Sequence, residues 1–366
     1  MAGSTYGTIL KITTWGESHG KGIGVVVDGC PAGLELDEAD IQAWLDRRKP
    51  GQSKFTTARQ EGDRVEILSG VFEGRTTGTP IALEVRNTDQ RSHDYGNIMD
   101  VYRPGHADYT FDRKYGFRDY RGGGRSSGRE TIGRVAAGAI AAKVLENLGI
   151  RVQAYTRSIG PVSVRPERFD AEEMWKNRLY MPDAQAAKEA EAYLEELMAR
   201  RDSSGGVVEC RVTGLPAGIG EPVFEKLDAN LAKAILSIGA VKGFEIGDGF
   251  AAAGSTGSVN NDAFGSENGS VYKKTNHSGG TLGGISDGGD LVFRAAFKPT
   301  PSIASAQQTV NRSGQEVEIE IHGRHDPIIV PRAVVVVEAM TALTVCDLMF
   351  VSMCSRMDRI QAFFRG

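Results

Sequence analysis

Along the chain the spacing of apolar and polar positions changes several times, and each change marks an element. Residues 7–14, Gly-Thr-Ile-Leu-Lys-Ile-Thr-Thr, alternate and are β-branched, which predicts a strand; 23–27 predicts its neighbour. The polar turn Trp15-Gly16-Glu17-Ser18-His19-Gly20 then sits at the mouth of a hairpin. Asp37 predicts a helix N-cap ahead of Ile41, Trp44 and Leu45 on one face, with Arg47, Arg48 and Lys49 suiting the negative end of the helix dipole and Pro50-Gly51 stopping it. Short strands are expected at 65–68 and 81–85. From 87 to 128 the chain has almost no period, and a stretch that long in a compact protein is expected to be functional. It ends at Ser127-Gly128-Arg129-Glu130, a capping-box pattern, after which Ile132, Ala136, Ile140, Val144 and Leu148 recur every four residues until Gly149. A strand near 151–155, a surface helix over 183–201, a helix near 224–236, strands at 291–297 and 316–321 and an apolar helix over 333–354 complete the reading.

Two stretches echo each other. Val25-Val26-Val27-Asp28 runs into Gly29-Cys30-Pro31-Ala32-Gly33 and then a helix, and Cys210-Arg211-Val212-Thr213 runs into Gly214-Leu215-Pro216-Ala217-Gly218 and then a helix. The echo leaves open an internal two-fold repeat within one fold. The residues by themselves support a mixed α and β chain in one large domain spanning 1–366. The segment 333–354 is apolar enough to raise a membrane question. Glu338 and Asp347 inside it would be costly at bilayer depth, so a buried core helix is expected and no membrane association.

Composition changes this picture little. With 366 residues, 25% charged and a net charge of -4, the chain is an ordinary globular one, and the charge gives no reason to expect nucleic acid as a partner. The four cysteines form no C-x-x-C, so free thiols in a cytoplasmic setting are expected, with neither disulfides nor zinc. The N-terminus shows no signal-peptide core. Glycine is in excess, 46 residues with no Gly-X-Y period, which points to turns and close backbone approaches.

Against that background a basic island stands out: Arg103, Arg113, Arg118, Arg121, Arg125, Arg129 and Arg134, with Gly122–Gly124 ahead of Ser126 and Ser127. Arg125-Ser126-Ser127 at the start of a helix combines free N–H groups, hydroxyls, a guanidinium and a positive dipole end, which makes an anion site. No P-loop and no strand-linked G-x-G-x-x-G accompanies it. The aromatics Tyr109, Phe111, Tyr115, Phe117 and Tyr120 between the arginines would also suit stacked bases, but the acidic balance and the lack of a nucleic-acid motif oppose that reading. His19 and His106 lie in glycine-bounded turns and are candidate acid/base groups. His322-x-x-His325-Asp326 has metal-like residues, but glycine and proline break its spacing, and no metal is expected.

Several of these stretches together resemble the chorismate synthase family over essentially the whole chain. The motifs are Gly-Glu-Ser-His-Gly at 16–20, Arg-Pro-Gly-His-Ala-Asp at 103–108, Gly-Arg-Ser-Ser-Gly-Arg-Glu-Thr-Ile-Gly-Arg-Val-Ala-Ala-Gly-Ala at 124–139, Gly-Gly-Ile-Ser-Asp-Gly-Gly at 283–289 and Arg-His-Asp-Pro at 324–327. The resemblance implies an α+β domain with helices packed between antiparallel sheets, a homotetramer, and conversion of 5-enolpyruvylshikimate 3-phosphate to chorismate and phosphate by a 1,4-anti elimination that needs reduced FMN. It implies FMN contacts from Arg125, Ser126, Ser127, Gly239, Ala240, Gly283, Lys298, Pro299, Thr300, Pro301, Ser302 and Arg324. Arg48, Lys54, Ser18 and Arg134 would serve the anionic substrate or NADPH; at Lys54 the family often has arginine, so the charge is kept and the bidentate geometry lost. His19 would protonate the departing phosphate, His106 would protonate the flavin near N1 and C2=O, and Asp326 would work with flavin N5 in removing the ring proton. No flavin-reductase domain is visible, so an external reductase is the expected supply, with NADPH as a possible direct reductant.

Overall fold

The structure, a computed structural model, describes residues 3–56, 62–88, 99–121, 123–321 and 326–365. The first half of the chain runs β1 (Thr5–Tyr6), β2 (Lys11–Gly16), β3 (Gly22–Asp28), α1 (Glu38–Arg48), β4 (Val65–Ile67), β5 (Val71–Phe72), β6 (Arg75–Thr76), β7 (Ile81–Arg86), α2 (Asp108–Tyr115) and α3 (Thr131–Asn147). The second runs β8 (Arg151–Ile159), β9 (Val162–Ser163), α4 (Ala184–Ala199), β10 (Gly206–Thr213), α5 (Leu227–Leu236), β11 (Val241–Ile246), α6 (Gly257–Asn260), β12 (Phe264–Glu267), β13 (Ser270–Lys273), β14 (Thr281–Leu282), β15 (Ile285–Ser286), β16 (Leu291–Phe297), β17 (Gln307–Val310), β18 (Glu316–Ile319), α7 (Val330–Ser352) and α8 (Met357–Arg365).

Two antiparallel sheets, in the orders β1-β2-β3-β7-β4 and β11-β16-β10-β8-β9, form the outer layers. The apolar face of the first meets α3, with α1 beside it; that of the second meets α7, with α5 beside it; and α3 packs on α7 in the middle. The expected helices between antiparallel sheets are therefore observed. Both central helices are buried on nearly every side, as their Ala, Val and Gly content allows. Glu338 does not face lipid: it accepts a hydrogen bond from Ala154 N at 2.8 Å and pairs with Arg47 at 2.7 Å. Asp347 accepts from the backbone N–H groups of Thr8, Ile9 and Leu10 at 2.8, 2.7 and 2.9 Å. These bonds shift the first strand: where alternation predicts 7–14, the ordered ladder is β2, because Asp347 has taken the N–H groups before it.

The two halves repeat one another. The order β2-β3-β7-β4 recurs as β8-β10-β16-β11, with α1, α3 matched by α5, α7. The match extends to single hydrogen bonds. Thr76 Oγ1 donates to Pro31 O and accepts from Leu34 N at 2.6 and 3.0 Å; Ser286 Oγ donates to Pro216 O and accepts from Ile219 N at 2.6 and 2.9 Å. Gly29 and Gly214 share a left-handed φ, 83° and 78°. Only the second half carries an excursion between β11 and β14. It holds α6 and the hairpin β12–β13, fastened by Lys273 Nζ to Asp262, Asp287 and Ser278 at 3.3, 2.7 and 2.6 Å.

Two further expectations change. The aperiodic stretch holds the helix α2, invisible to periodicity because it has no apolar stripe; Asp108 and Asp112 on it are bound by Arg103 and Arg118, each at 2.7 Å. The expected capping box is half formed: Ser127 Oγ accepts from Arg129 N at 3.3 Å, while the Glu130 carboxylate turns to Arg134 at 3.0 Å.

Candidate active site

The hairpin turn between β2 and β3 presents His19, whose Nδ1 lies 3.1 Å from the hydroxyl of the buried Ser18. Arg125 lies beneath this turn. Its guanidinium donates to Gly16 O at 3.2 Å, to Thr14 O at 3.2 Å and to Thr14 Oγ1 at 2.6 Å. Most of the basic island is already compensated: Arg103 pairs with Asp108, Arg118 with Asp112, Arg121 with Asp119, Arg129 with Asp63 and Arg134 with Glu130. Arg125, among the described residues, is held by neutral oxygens, so its charge remains available to an anion. The Arg121 guanidinium, against the opposing effect of burial and with a smaller contribution from His19, holds the Asp119 carboxyl below its usual range.

Arg48, expected to face substrate, is 2% exposed. Its guanidinium reaches Asp63 at 2.8 Å, Gly128 O at 3.2 Å and Thr131 Oγ1 at 3.4 Å. Burial lowers its pKa to about 10, with the nearby Arg332 and Arg129 acting in the same direction and Asp63 opposing. Burial alone would raise Asp63, but the guanidiniums of Arg48 and Arg129 override it and hold the carboxyl low. Arg332 extends the cluster: Nε donates to Arg48 O at 2.9 Å and NH1 pairs with Asp326 at 2.7 Å. Asp326, the expected base-side carboxylate, is thus tied to Arg48. Arg324 lies outside the described residues.

His106 arrives from a separate direction. Its Nε2 lies 2.6 Å from Ser302 Oγ, and Lys298 Nζ donates to Gly105 O at 2.7 Å, so the segment 298–302 is strapped over the His106 turn. Burial, and then the like charge of Lys242, lowers the Lys298 pKa, a cation poised to gain an anionic partner. The strap is anchored by Lys298 N to Ala240 O at 3.0 Å and by Ser203 Oγ to Thr300 O at 2.7 Å. Ala240 holds a left-handed φ of 72°. Gly124 and Gly239 have open space where a side chain would stand, leaving bare backbone for a flat ligand.

Arg134 joins the two groups. It donates to Ser237 Oγ at 2.6 Å, just ahead of Gly239, and to Glu130, whose other contact is Thr14 Oγ1, the hydroxyl that receives Arg125. Ser18, His19 and Arg125 thus meet at one turn, Arg48 and Asp326 are linked through Arg332, and His106, Ala240, Lys298 and Ser302 cluster at the strap, with Arg134 reaching Ser237 three residues before Ala240 and Ser126 and Ser127 alongside Arg125. Two expected residues stand apart. Lys54 is exposed and its amine pairs with Glu195 on α4. Gly283 lies in the β14–β15 turn, where Gly284 O accepts from Leu227 N at 2.8 Å at the start of α5, whereas Gly239 follows the end of that helix, so roughly a ten-residue helix length of ~15 Å separates them. Asp63, Asn87, Arg332 and the partner role of Arg129 carry no sequence signal: each acts through a contact distant along the chain.

The residues fit a flavin mononucleotide: cations without carboxylates at Arg125 and Lys298, bare glycine backbone, and hydrogen-bonding hydroxyls on the strap. A family model described as chorismate synthase matches residues 10–350. The chain is 68% identical to a chorismate synthase of Agathobacter rectalis, with 100% of each chain covered, and 58% identical to one of Methanocella arvoryzae, with 95% of each covered. A crystal structure of chorismate synthase superposes with a TM-score of 0.77 at 33% identity, covering 98% of this chain and 97% of that one.

Proposed function

The chain belongs to the chorismate synthase family, and from that premise we propose how its own residues carry out the conversion of 5-enolpyruvylshikimate 3-phosphate to chorismate and phosphate. The observation that carries the reading is the line of contacts that runs from Arg125 to the His19 turn at Gly16, and from that turn through Asn87, Arg129, Asp63, Arg48 and Arg332 to Asp326, residues far apart in sequence. The substrate bears a phosphate and two carboxylates. Arg125, Lys298 and the Arg48, Arg129 and Arg332 guanidiniums gathered around Asp63 and Asp326 make a field suited to it. In the reaction a ring C–H bond and the C–O bond to phosphate break, and a new double bond forms, with no net oxidation. His19, its ring oriented by Ser18, delivers a proton to the departing phosphate oxygen. Asp326, held by Arg332, stands on the side that receives the ring proton. His106 Nε2, held by Ser302, would supply a proton-exchanging group to a bound flavin.

A bound reduced FMN would supply transient electron density to ease the departure of phosphate, with no net change in its oxidation state. Arg125, Ser126, Ser127, Gly239, Ala240 and the 298–302 strap hold it. Gly283 joins them from a second copy in a homotetramer, because within one chain it stands at the wrong end of α5. Reduced FMN is supplied by an external reductase. The test is phosphate release from 5-enolpyruvylshikimate 3-phosphate by the purified protein with photoreduced FMN. His19→Ala and His106→Ala are each expected to lower turnover by about 10²-fold or more. No release with reduced FMN would sink the activity, near-wild-type variants would remove the roles, and release with NADPH and FMN alone would replace the external reductase.

A further inference from the structure

Asn87 follows the end of β7 and belongs to no motif, yet it makes the contacts that join the site's two charged regions. Its backbone N–H donates to Lys21 O at 3.1 Å. Its side-chain amide donates to Glu17 O and to Gly20 O, both at 2.9 Å, the carbonyls on either side of Ser18 and His19. Its amide oxygen accepts from Arg129 Nε at 2.7 Å. The orientation is fixed by chemistry: a reversed amide would set its NH2 against the Arg129 N–H and its oxygen against two carbonyls. The turn's own backbone closes through Gly20 N to Glu17 O at 3.1 Å, and the amide is a further brace across the four residues that carry His19. Beyond Arg129 the line continues to Asp63 at 2.9 Å, and from Asp63 to Arg48 at 2.8 Å.

We propose that Asn87 is a positioning residue: it sets the His19 turn in the proton-delivering geometry and registers that turn against the arginine cluster. The inference rests on the reading of His19 as the acid to the departing phosphate. A proton donor must stand within hydrogen-bond reach of the oxygen it serves, and small misplacements cost rate steeply. The turn is glycine-bounded at Gly16 and Gly20, and Gly16 has a left-handed φ of 83°, so the turn's own backbone restrains it little. Arg129 holds the brace from the side on which the substrate's charge is gathered.

The amide donors and acceptor are separable by substitution. Asn87→Ala removes both. Asn87→Asp keeps the size and strengthens the bond from Arg129, but sets a carboxylate against two carbonyls and loses the brace. Both variants are expected to lower kcat by roughly 10-fold or more, with the KM for substrate and the Kd for oxidised FMN within about 3-fold of wild type and with the His19-dependent limb of the kcat pH profile displaced. Each is then combined with His19→Ala. If Asn87 acts through His19, the double variant is no slower than His19→Ala alone. Multiplying losses overturn the proposal, as does wild-type kcat and pH profile in either folded single variant. If neither variant folds, Asn87 holds the fold and not the acid, and the proposal fails. A wild-type rate in His19→Ala itself sinks the acid reading on which the inference rests, a result distinct from additivity at Asn87.

Discussion

Asp183 closes the start of α4 by accepting from Gln185 N, Ala186 N and Arg165 N at 3.1, 3.0 and 3.1 Å and from Arg168 Nε at 3.0 Å. Its side chain is 1% exposed. Burial would raise its pKa, but the bond from Arg168 and the backbone donors outweigh it and bring the value down to about 2. A carboxyl depressed in the fold contributes stability above its unfolded value and loses that contribution as pH falls through the folded one. Asp183→Ala is therefore expected to cost roughly 2 kcal/mol at pH 7, and the cost should shrink as pH falls from about 4 to about 2. Urea unfolding at both ends of that window measures it; an equal deficit at both would refute the assignment. At this scale the sequence is legible where a residue acts on its neighbours. Asp183 marks a helix start on sight, while its partners Arg165 and Arg168 do not. Arg48 shows what the sequence leaves out: its pairing with Asp63 and its burial come from a carboxylate 15 residues away that no local pattern marks.

The α3–α7 pair shows what periodicity conveys about an element and what it omits. Four-residue spacing picks out Ile132, Ala136, Ile140 and Val144, which are buried, and Leu148, which caps the helix and is exposed; the faces between the buried four are buried too, so the stripe understates the helix. The signal for that lies in the small residues. A Cβ on Gly138 would stand 2.3 Å from Ala339 Cβ, 2.5 Å from its Cα and 2.9 Å from its carbonyl oxygen. Alanine would favour the helix by about 1 kcal/mol over glycine, but here the helices must part, and overpacking of a tight core costs about 1–3 kcal/mol or more. The steric term wins because the clash includes backbone that cannot rotate away. Gly138→Ala is expected to lower the urea midpoint clearly, whereas Gly254→Ala, exposed and with open space at its Cβ, should leave it within experimental error. Equal midpoints for the two would mean that α3 and α7 do not approach this closely.

At the scale of the whole molecule, the G-x-P-A-G echo leads to a duplicated sheet-and-helix unit, and the differences between the copies separate framework from function. The first half's β5–β6 turn and the second half's β14–β15 turn occupy equivalent places, but the former carries Glu73-Gly74 and the latter Gly283-Gly284. A side chain at Gly283 would meet nothing within 4 Å in its own chain, so the bare backbone there is not needed for packing. If it faces a flavin held by the Arg125 and strap residues of a second copy, each site is built from two chains, and that arrangement can be tested by complementation. Gly283→Trp would block the neighbour's site while leaving its own histidines intact, and His19→Ala would disable its own site while lending a normal Gly283. Each variant alone is expected to be nearly inactive. Dissociated and reassembled together at equal amounts, they should recover about a quarter of wild-type turnover, the share expected from random pairing across a two-fold interface. An inactive mixture, from variants shown to exchange subunits, would place Gly283 and His19 in the same chain's site. An active Gly283→Trp would remove that glycine from the site altogether.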